Sequence, residues 1–140
     1  MDLETVDAAA FGQSLSGLGL NLLCRDVQGM AGFLAGVFGL TIHRLSDDFA
    51  LARHGAVLIQ LHSDATFGRH PLHDLLPENP PRGSGAQFYL FGIDPDIAVS
   101  RAESHGGTIL EVPGDKPHGL REATILAPEG YAFSPAVARA

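Results

Sequence analysis

The sequence of 140 residues predicts an α+β fold built from two consecutive β-α-β-β-β modules. The first observation is an internal repeat. When the chain is shifted by 68 residues, Asp94 falls on Asp26 and Gly107 falls on Gly39, so each Asp precedes its Gly by 13 residues. The second observation is that a strand pattern precedes each Asp and a helical pattern follows it. A repeat of this length indicates a duplicated supersecondary unit rather than a solenoid turn.

The first module follows residues 1–15, whose mixed pattern fits either a helix or a loose tail. Leu18 to Arg25 alternates as a strand. Asp26 is a good N-cap, because its carboxylate accepts from the unpaired amides of a first helical turn. Gly39 then ends the helix as a left-handed cap. The predicted buried stripe of this helix follows the i, i+3, i+4, i+7, i+8 rule and consists of Met30, Phe33, Leu34, Val37 and Phe38.

Three short strands are predicted after the first helix, at about 40–45, 48–53 and 56–62, with His54-Gly55 as the tight turn between the last two. The segment that follows is rich in proline and has no sustained periodicity, so we interpret it as the linker between the modules. A single helical turn is predicted inside it, from Pro71 to Leu76.

The second module repeats this order. A strand from Ala86 to Ile93 leads to Asp94 as the cap and to Pro95 at the first helical position, where a missing amide costs least. The helix is predicted to reach Ser104 or His105 and to end at the Gly-Gly pair. A loop from Pro113 to Gly119 is expected to separate the first two of the remaining strands, which are predicted at 108–112, 120–126 and 131–137.

The whole chain, 1–140, is predicted to be a single domain, with module one at about 16–62, a linker at about 63–85 and module two at about 86–137. The formal charge of −7 and the absence of a Lys or Arg run argue against a nucleic-acid partner, which needs a basic surface. No apolar run approaches the roughly 20 residues that span a bilayer, so we expect no membrane partner.

The single cysteine, Cys24, cannot form an internal disulfide and lies in an apolar strand, where a buried thiol is expected. This fits a reducing compartment. The N-terminus lacks a basic region followed by an apolar stretch, so no signal peptide is expected. The sequence therefore predicts a cytoplasmic protein.

The order of elements and one sequence segment resemble a known family. Two β-α-β-β-β modules, each with an Asp-capped helix that ends in Gly, are similar to the vicinal oxygen chelate superfamily of glyoxalases, bleomycin-resistance proteins and extradiol dioxygenases. The segment GDKPHGLREATILAPEGY, from Gly114 to Tyr131, resembles the signature of that family's second module, a Pro-Trp-Gly-Arg loop, a strand and Asp-Pro-Asp-Gly-Asn. His118 stands in place of the Trp, Ala127 in place of the first Asp and Glu129 in place of the second. The resemblance covers residues 16–137.

The resemblance implies that the curved mixed sheets of the two modules form a cup, with the helices on its outer face. In the metal enzymes of the family, ligands come from the first and last strand of each module. The corresponding positions here are Gly19, Gln60, Gln87 and Ser134. None of them is a His or a carboxylate, the usual ligands of Zn, Fe or Ni. The usual metal site is therefore expected to be dismantled, and we expect no metal and no cofactor.

The histidines do not replace that site in the sequence. The spacing of His62, His70 and His73 matches no standard metal motif, and the last two lie in the linker. We interpret them as solvated or rim residues. His118 is expected to touch a ligand at the mouth of the cup. Arg121 matches the Arg of the family's loop, and it is expected either to pair with an anionic ligand group or to form a surface salt bridge.

Nine candidate ligand-binding residues follow from this mapping. They are Asn21, Gln60, His62, Gln87, Tyr89, Phe91, His118, Arg121 and Ser134. With Leu23 and Leu58 added, and without the loop residues His118 and Arg121, the lining of the cup is a mostly apolar surface with a few amides, one phenol and one imidazole, which suits a small organic ligand. The alternative is that Gln60 and Gln87 are hydrogen-bonded polar residues inside a filled cup.

Three functions remain open on the sequence. The first is a metal-free small-molecule-binding protein that resembles the drug-sequestering members of the family. The second is a lyase, isomerase or dioxygenase-like enzyme with an atypical metal site or with acid-base residues such as Gln87, Tyr89 and His62. The third is a structural or regulatory protein with an occluded cup. A homodimer is expected, because exposed sheet edges need cover.

Overall fold

The computed structural model describes residues 1–77 and 82–140. Its helices and strands follow the predicted order, with one additional helix at the N-terminus. The elements are α1 (Ala8–Ser14), β1 (Leu20–Cys24), α2 (Val27–Phe38), β2 (Thr41–His43), β3 (Phe49–His54), β4 (Val57–Ser63), β5 (Gln87–Phe91), α3 (Pro95–Ala102), β6 (Thr108–Asp115), β7 (Leu120–Leu126) and β8 (Ala132–Ala138). Short 3-10 turns lie at Asp64–Phe67, Pro71–Leu75 and Glu103–His105.

The eight strands form two four-stranded sheets of identical topology. The strand orders are β1-β4-β3-β2 and β5-β8-β7-β6. In each sheet the first strand of the module pairs in parallel with the last, so Asn21 lies beside Gln60 and Tyr89 beside Ser134. The remaining strand pairs are antiparallel. The α+β class and the two β-α-β-β-β modules are confirmed.

The helix of the first module forms as its sequence predicts. The Asp26 carboxylate accepts from the Gly29 amide at 2.9 Å, and Gly39 ends α2 in the left-handed region at φ 71°. Such a φ favours glycine because it has no Cβ. All five residues of the predicted apolar stripe are buried. The helix is therefore fixed at both ends by its caps and along its length by packing.

The α-helix of the second module ends at Ala102, short of the predicted Ser104 or His105, and a 3-10 turn continues it to the Gly-Gly pair. The left-handed residue is Gly106, at φ 84°, and not Gly107. The reason is that the 3-10 turn Glu103–His105 tightens the end of α3. Gly107 instead donates its amide to the Ala102 carbonyl at 2.9 Å.

Strand β6 is longer than predicted, because it continues through Pro113 to Asp115, a part of the chain that we expected to be loop. Its pairing with β7 shifts register between Ile109 and Glu111 and again between Glu111 and Gly114. These irregularities accommodate a proline inside a paired strand.

One hydrophobic core joins the two modules. Phe33 and Phe38 of α2 reach the second module and pack against Phe133 of β8, with ring centroids 6.5 and 5.7 Å apart. Helices α2 and α3 also contact each other. Because both sheets bury their helix-facing side in this core, the opposite side of each sheet is turned away from it. No helix among the described residues is long and apolar enough to cross a membrane.

A buried carboxylate links the second module to the start of α2. Glu129, in the turn between β7 and β8, is 4% exposed. It accepts from the Arg25 amide at 2.8 Å and from the Asp26 amide at 2.9 Å. Both amides lie where a helix begins and has no internal acceptor for them. Glu129 therefore acts as a cap that one module supplies to the other.

Replacing Glu129 by Ala is expected to lower the free energy of unfolding by about 2 kcal/mol, because two charge-assisted hydrogen bonds are lost and their donors are left without an acceptor. Urea denaturation checks this. The matched control is Glu103→Ala, which truncates an exposed carboxylate. Equal denaturation midpoints for the two variants would contradict the capping role.

Two glycines of α2 give a second matched pair. A Cβ at Gly32 meets open space, whereas a Cβ at Gly36 would overlap the imidazole of His105. We expect Gly32→Ala to stabilise the protein by up to about 1 kcal/mol through helix propensity. Gly36→Ala is expected to give no gain, because the imidazole of His105, which lies 2.9 Å from the Arg101 carbonyl through its Nδ1, must be displaced. Thermal unfolding of both variants tests this. A similar rise in melting temperature for Gly36→Ala would show that the His105 side chain moves aside without cost.

Candidate functional site

Each sheet has one face turned away from the core, and strand pairing identifies its residues. The N-terminal face is the surface formed by Asn21, Leu23, Phe49, Leu51, Arg53, Leu58, Gln60 and His62. The C-terminal face is the surface formed by Gln87, Tyr89, Phe91, Glu122, Thr124 and Ser134. Laterally paired residues share a face, so these assignments follow from the register. The register places the predicted Gln60 and His62 beside Asn21 and Leu23.

A hydrogen bond joins two of the predicted residues on the N-terminal face. His62 Nδ1 lies 2.6 Å from Asn21 Oδ1. The imidazole also packs between the rings of Phe49 and Phe67, with centroid distances of 4.9 and 5.4 Å. Burial lowers the pKa of His62 below its ordinary value. This face therefore offers a neutral, ring-packed imidazole.

The N-terminal segment covers the other end of this face. Phe11 of α1 and Gln60 of β4 both line a cleft of about 750 Å³. The segment is tied down at Glu4, whose carboxylate accepts from the Arg44 amide at 3.1 Å and lies 3.3 Å from His43 Nδ1. No residue of α1 is buried. Gln60 therefore lies under a loosely packed cover.

A chain of hydrogen bonds crosses the middle of the C-terminal face. The Gln87 amide donates to the Ser134 hydroxyl at 2.8 Å. That hydroxyl lies 2.9 Å from Thr124 Oγ1. Gln87 is exposed, whereas Ser134 is fully buried. The structure thus brings together two of the predicted residues, and Ser134 fixes the orientation of Gln87.

A second cluster on this face is built around Glu122, which the sequence analysis did not identify. The residue is only 3% exposed. Its Oε2 accepts from the Tyr89 hydroxyl at 3.0 Å, and its Oε1 lies 2.6 Å from His118 Nε2. The signal for it was strand alternation, because Glu122 and Thr124 alternate along β7 with the buried Ala123 and Ile125. Tyr89 and His118, both predicted, are therefore held by one buried carboxylate.

The hydrogen bond to Glu122 raises the pKa of Tyr89 above its ordinary value, and desolvation and the negative charge act in the same direction. The ring of Tyr89 stacks on Phe91, with centroids 5.2 Å apart and planes 5° apart. Phe91 is 58% exposed. The outer strand β6 carries two more exposed apolar side chains, Leu110 and Val112. Next to its polar cluster, the C-terminal face thus has an exposed aromatic surface.

Arg121 lies apart from both faces. It alternates with Glu122 along β7 and forms a bidentate ion pair with Asp96 of α3, with both N–O distances at 2.8 Å. Asp115 lies 3.3 Å from the same guanidinium. The hydrogen bonds from Arg121 lower the pKa of Asp96 below its ordinary value. Of the two roles expected for Arg121, the structure shows the salt bridge.

The two faces do not meet within one chain. In residues 1–77 and 82–140, no hydrogen bond or ring contact joins a side chain of the N-terminal face to one of the C-terminal face. The contacts between modules lie at the helices and strand ends, such as Tyr131 Oη to the Leu23 carbonyl at 2.8 Å. The two faces are therefore separate surfaces in the part of the chain that the structure describes.

The residues at the family's metal positions do not fit a divalent ion. Gly19 has no side chain, and the Gln87 amide is bonded to Ser134. Gln60 lines the cleft under α1. In the part of the chain that the structure describes, no three or more His, Cys, Asp or Glu side chains lie close enough together to hold a metal. Amides and hydroxyls are weak ligands for Zn, Fe or Ni. These four positions therefore do not make a metal site of the family's usual kind.

The fold and these positions define a protein of the vicinal oxygen chelate class. Comparison with models of known families then identifies the superfamily. The model of the Glyoxalase/Bleomycin resistance protein/Dioxygenase superfamily matches residues 18–134. The chain belongs to this superfamily. No curated protein sequence matches the chain.

Several solved structures share the fold. A hypothetical protein, SA1046, from S. aureus superposes with a TM-score of 0.70 at 19% identity, covering 91% of this chain and 98% of its own. A glyoxalase/bleomycin resistance protein/dioxygenase family enzyme from Burkholderia phytofirmans gives 0.70 at 20% identity, covering 86% and 96%. TioX from Micromonospora gives 0.62 at 19% identity, covering 89% and 98%. At these identities the similarity establishes the fold alone.

The bond between Tyr89 and Glu122 predicts a spectroscopic change. Glu122→Gln removes the charged acceptor, so the pKa of Tyr89 is expected to fall toward its ordinary value. Absorbance of tyrosinate during an alkaline titration measures this. Tyr89→Phe is the control, because it leaves only Tyr131, whose pKa burial raises to about 12. An unchanged titration in Glu122→Gln would contradict the bond.

Proposed function

We propose that this protein binds a small organic ligand, without the usual metal centre, in a cup formed by the N-terminal face of one chain and the C-terminal face of a second. The observation that carries the proposal is the C-terminal face. It sets a buried carboxylate, Glu122, beside the exposed stacked rings of Tyr89 and Phe91. Ligand sites combine apolar and aromatic surface with a few fixed polar groups in this way.

Two chains are proposed because both faces turn away from the core that one chain shares. A two-fold axis that brings the N-terminal face of one protomer to the C-terminal face of its partner makes two equivalent cups. It also covers the exposed Phe91, Leu110 and Val112, which are costly to leave in water. The single buried Cys24 fits a reducing compartment, and a cytoplasmic location is part of the proposal.

A second candidate function is an acid-base enzyme of the same superfamily. The observation that favours it is the exposed imidazole of His118 bonded to the buried carboxylate of Glu122. A binding protein needs such a pair only for hydrogen bonding. An enzyme can use it to move a proton.

The two-chain cup predicts the oligomeric state. We expect a homodimer at micromolar concentration by light scattering, and a monomer for Phe91→Glu, because the charge would be buried against the partner. The control is Ile97→Glu, which places the same charge on an exposed apolar position of α3. A wild-type monomer, or a Phe91→Glu dimer, would overturn the arrangement.

The absence of a metal role predicts the response to ions and chelators. Fewer than about a tenth of purified, tag-free chains should carry metal by mass spectrometry, and EDTA, Zn, Ni, Mn and Fe should leave the melting temperature unchanged, because an ion that binds the native state stabilises it. Planar aromatic compounds should raise the melting temperature in the same assay. One metal per chain with a clear shift would refute the metal-free proposal.

A further inference from the structure

We infer that the C-terminal face is a cofactor-free proton-transfer site, in which His118 is the general base for a planar, conjugated substrate and Glu122 is its positioning residue. The inference rests on the proposed function, because it uses the same face as the ligand site. It adds a reaction and a substrate class to that site.

The bond between Glu122 and His118 determines which imidazole nitrogen is the base. Their atoms Oε1 and Nε2 lie 2.6 Å apart. An ionised carboxylate only accepts hydrogen bonds, so Nε2 carries the hydrogen and Nδ1 carries the lone pair. Nδ1 has no partner among the described residues, and the His118 side chain is 53% exposed. The nitrogen that accepts a proton is therefore the one that a ligand can reach.

The surroundings of Glu122 prevent the carboxylate from leaving this position. Its side chain is 4% exposed, and its second oxygen accepts from the Tyr89 hydroxyl. Two cations of this module have other partners, since Arg121 is paired with Asp96 at 2.8 Å and Lys116 with Glu111 at 3.0 Å. The carboxylate is thus available to stabilise the imidazolium that forms when Nδ1 takes a proton, and it holds the ring in one tautomer.

The rings of Tyr89 and Phe91 indicate the shape of the substrate. They lie nearly parallel, and the Tyr89 hydroxyl is bonded to the same carboxylate that holds His118. A flat conjugated molecule stacked on these rings would therefore have His118 at its border. The step is an abstraction of an acidic C–H proton by Nδ1. The bonding pair moves into the conjugated system of the substrate, and the proton returns from His118 at another atom. This gives an isomer and needs no oxidant, reductant or metal.

The test uses 5-nitrobenzisoxazole, a flat probe whose ring opens when a base removes its C–H proton. The electron pair forms the nitrile, the N–O bond breaks, and the product, 2-cyano-4-nitrophenolate, is followed by its absorbance. We expect saturable turnover by the wild type. His118→Gly should lower kcat by about 100-fold, the size of a general-base contribution, with KM unchanged. Added imidazole should restore part of kcat, which a merely structural role would not allow.

Two further variants separate positioning from folding. Glu122→Gln should lower kcat at least about tenfold with unchanged KM, because the tautomer is no longer fixed. His105→Gln, at the distant end of α3, should behave as wild type. Melting curves of all variants confirm that they are folded at the assay temperature.

Probe binding is measured separately, by quenching of tyrosine fluorescence with the unreactive analogue 6-nitrobenzotriazole, since the chain has two Tyr and no Trp. If the analogue binds and His118→Gly matches the wild-type rate, the base is wrong and the binding function stands. If neither binding nor turnover occurs, the substrate class is wrong and this inference falls. The proposed binding function is then tested by the melting-temperature assay with planar aromatic compounds alone. If no compound raises the melting temperature, the proposed function falls as well.

Discussion

The packing of α2 against both modules is the contact on which the rest of the structure depends. Phe33 and Phe38 extend from the first module into the sheet of the second and meet Phe133 there. Each of these rings buries a large apolar area, so this contact fixes which side of each sheet faces inward. The polar side chains of the strands therefore lie on the outward faces of the sheets. Placement of the candidate site is thus a consequence of core packing.

The buried carboxylates of the second module show two different uses of the same chemistry. Glu129 accepts from the Arg25 and Asp26 amides and so stabilises the junction between modules. Glu122 accepts only from side chains that belong to an exposed face, Tyr89 and His118. Burying a carboxylate costs several kcal/mol unless it is well bonded. Glu122 caps no helix among the described residues. Its bonds hold the Tyr89 ring and the His118 side chain, in the turn from Lys116 to Gly119, and so organise an exposed face rather than the junction between modules.

The sequence predicted those features that depend on local interactions. Asp26 and Asp94 were predicted as caps, and the α2 stripe was predicted from its spacing, because a cap and a helical face involve only residues within a few turns. The additional residues of β6 were not predicted, since its register shifts are set by the partner strand β7. The choice of Gly106 over Gly107 depends on a 3-10 turn that the Gly-Gly pair alone does not specify.

The site was predicted less completely for a similar reason. Gln87 and Tyr89 followed from the strand phase, and the structure places both on the C-terminal face. Glu122 was not predicted, although Ala123 and Ile125 reveal the alternation of β7, because the family signature assigns roles next to it only to His118 and Arg121. The fact that the faces turn apart depends on contacts between Phe33 and Phe133, a hundred residues away in sequence, and no local pattern carries that information.

The two faces differ in their electrostatics, and this difference bears on what a composite cup can do. The N-terminal face contributes His62, whose pKa is lowered by burial, the Asn21 amide and, beside Leu58, the exposed cation Arg53. The C-terminal face contributes the negative charge of Glu122. A ligand between them would meet apolar and amide surface on one side and a proton-accepting group on the other. In the proposed cup, such an arrangement would orient a ligand without a metal, because the asymmetry of the two halves would replace the direction that a coordinated ion imposes.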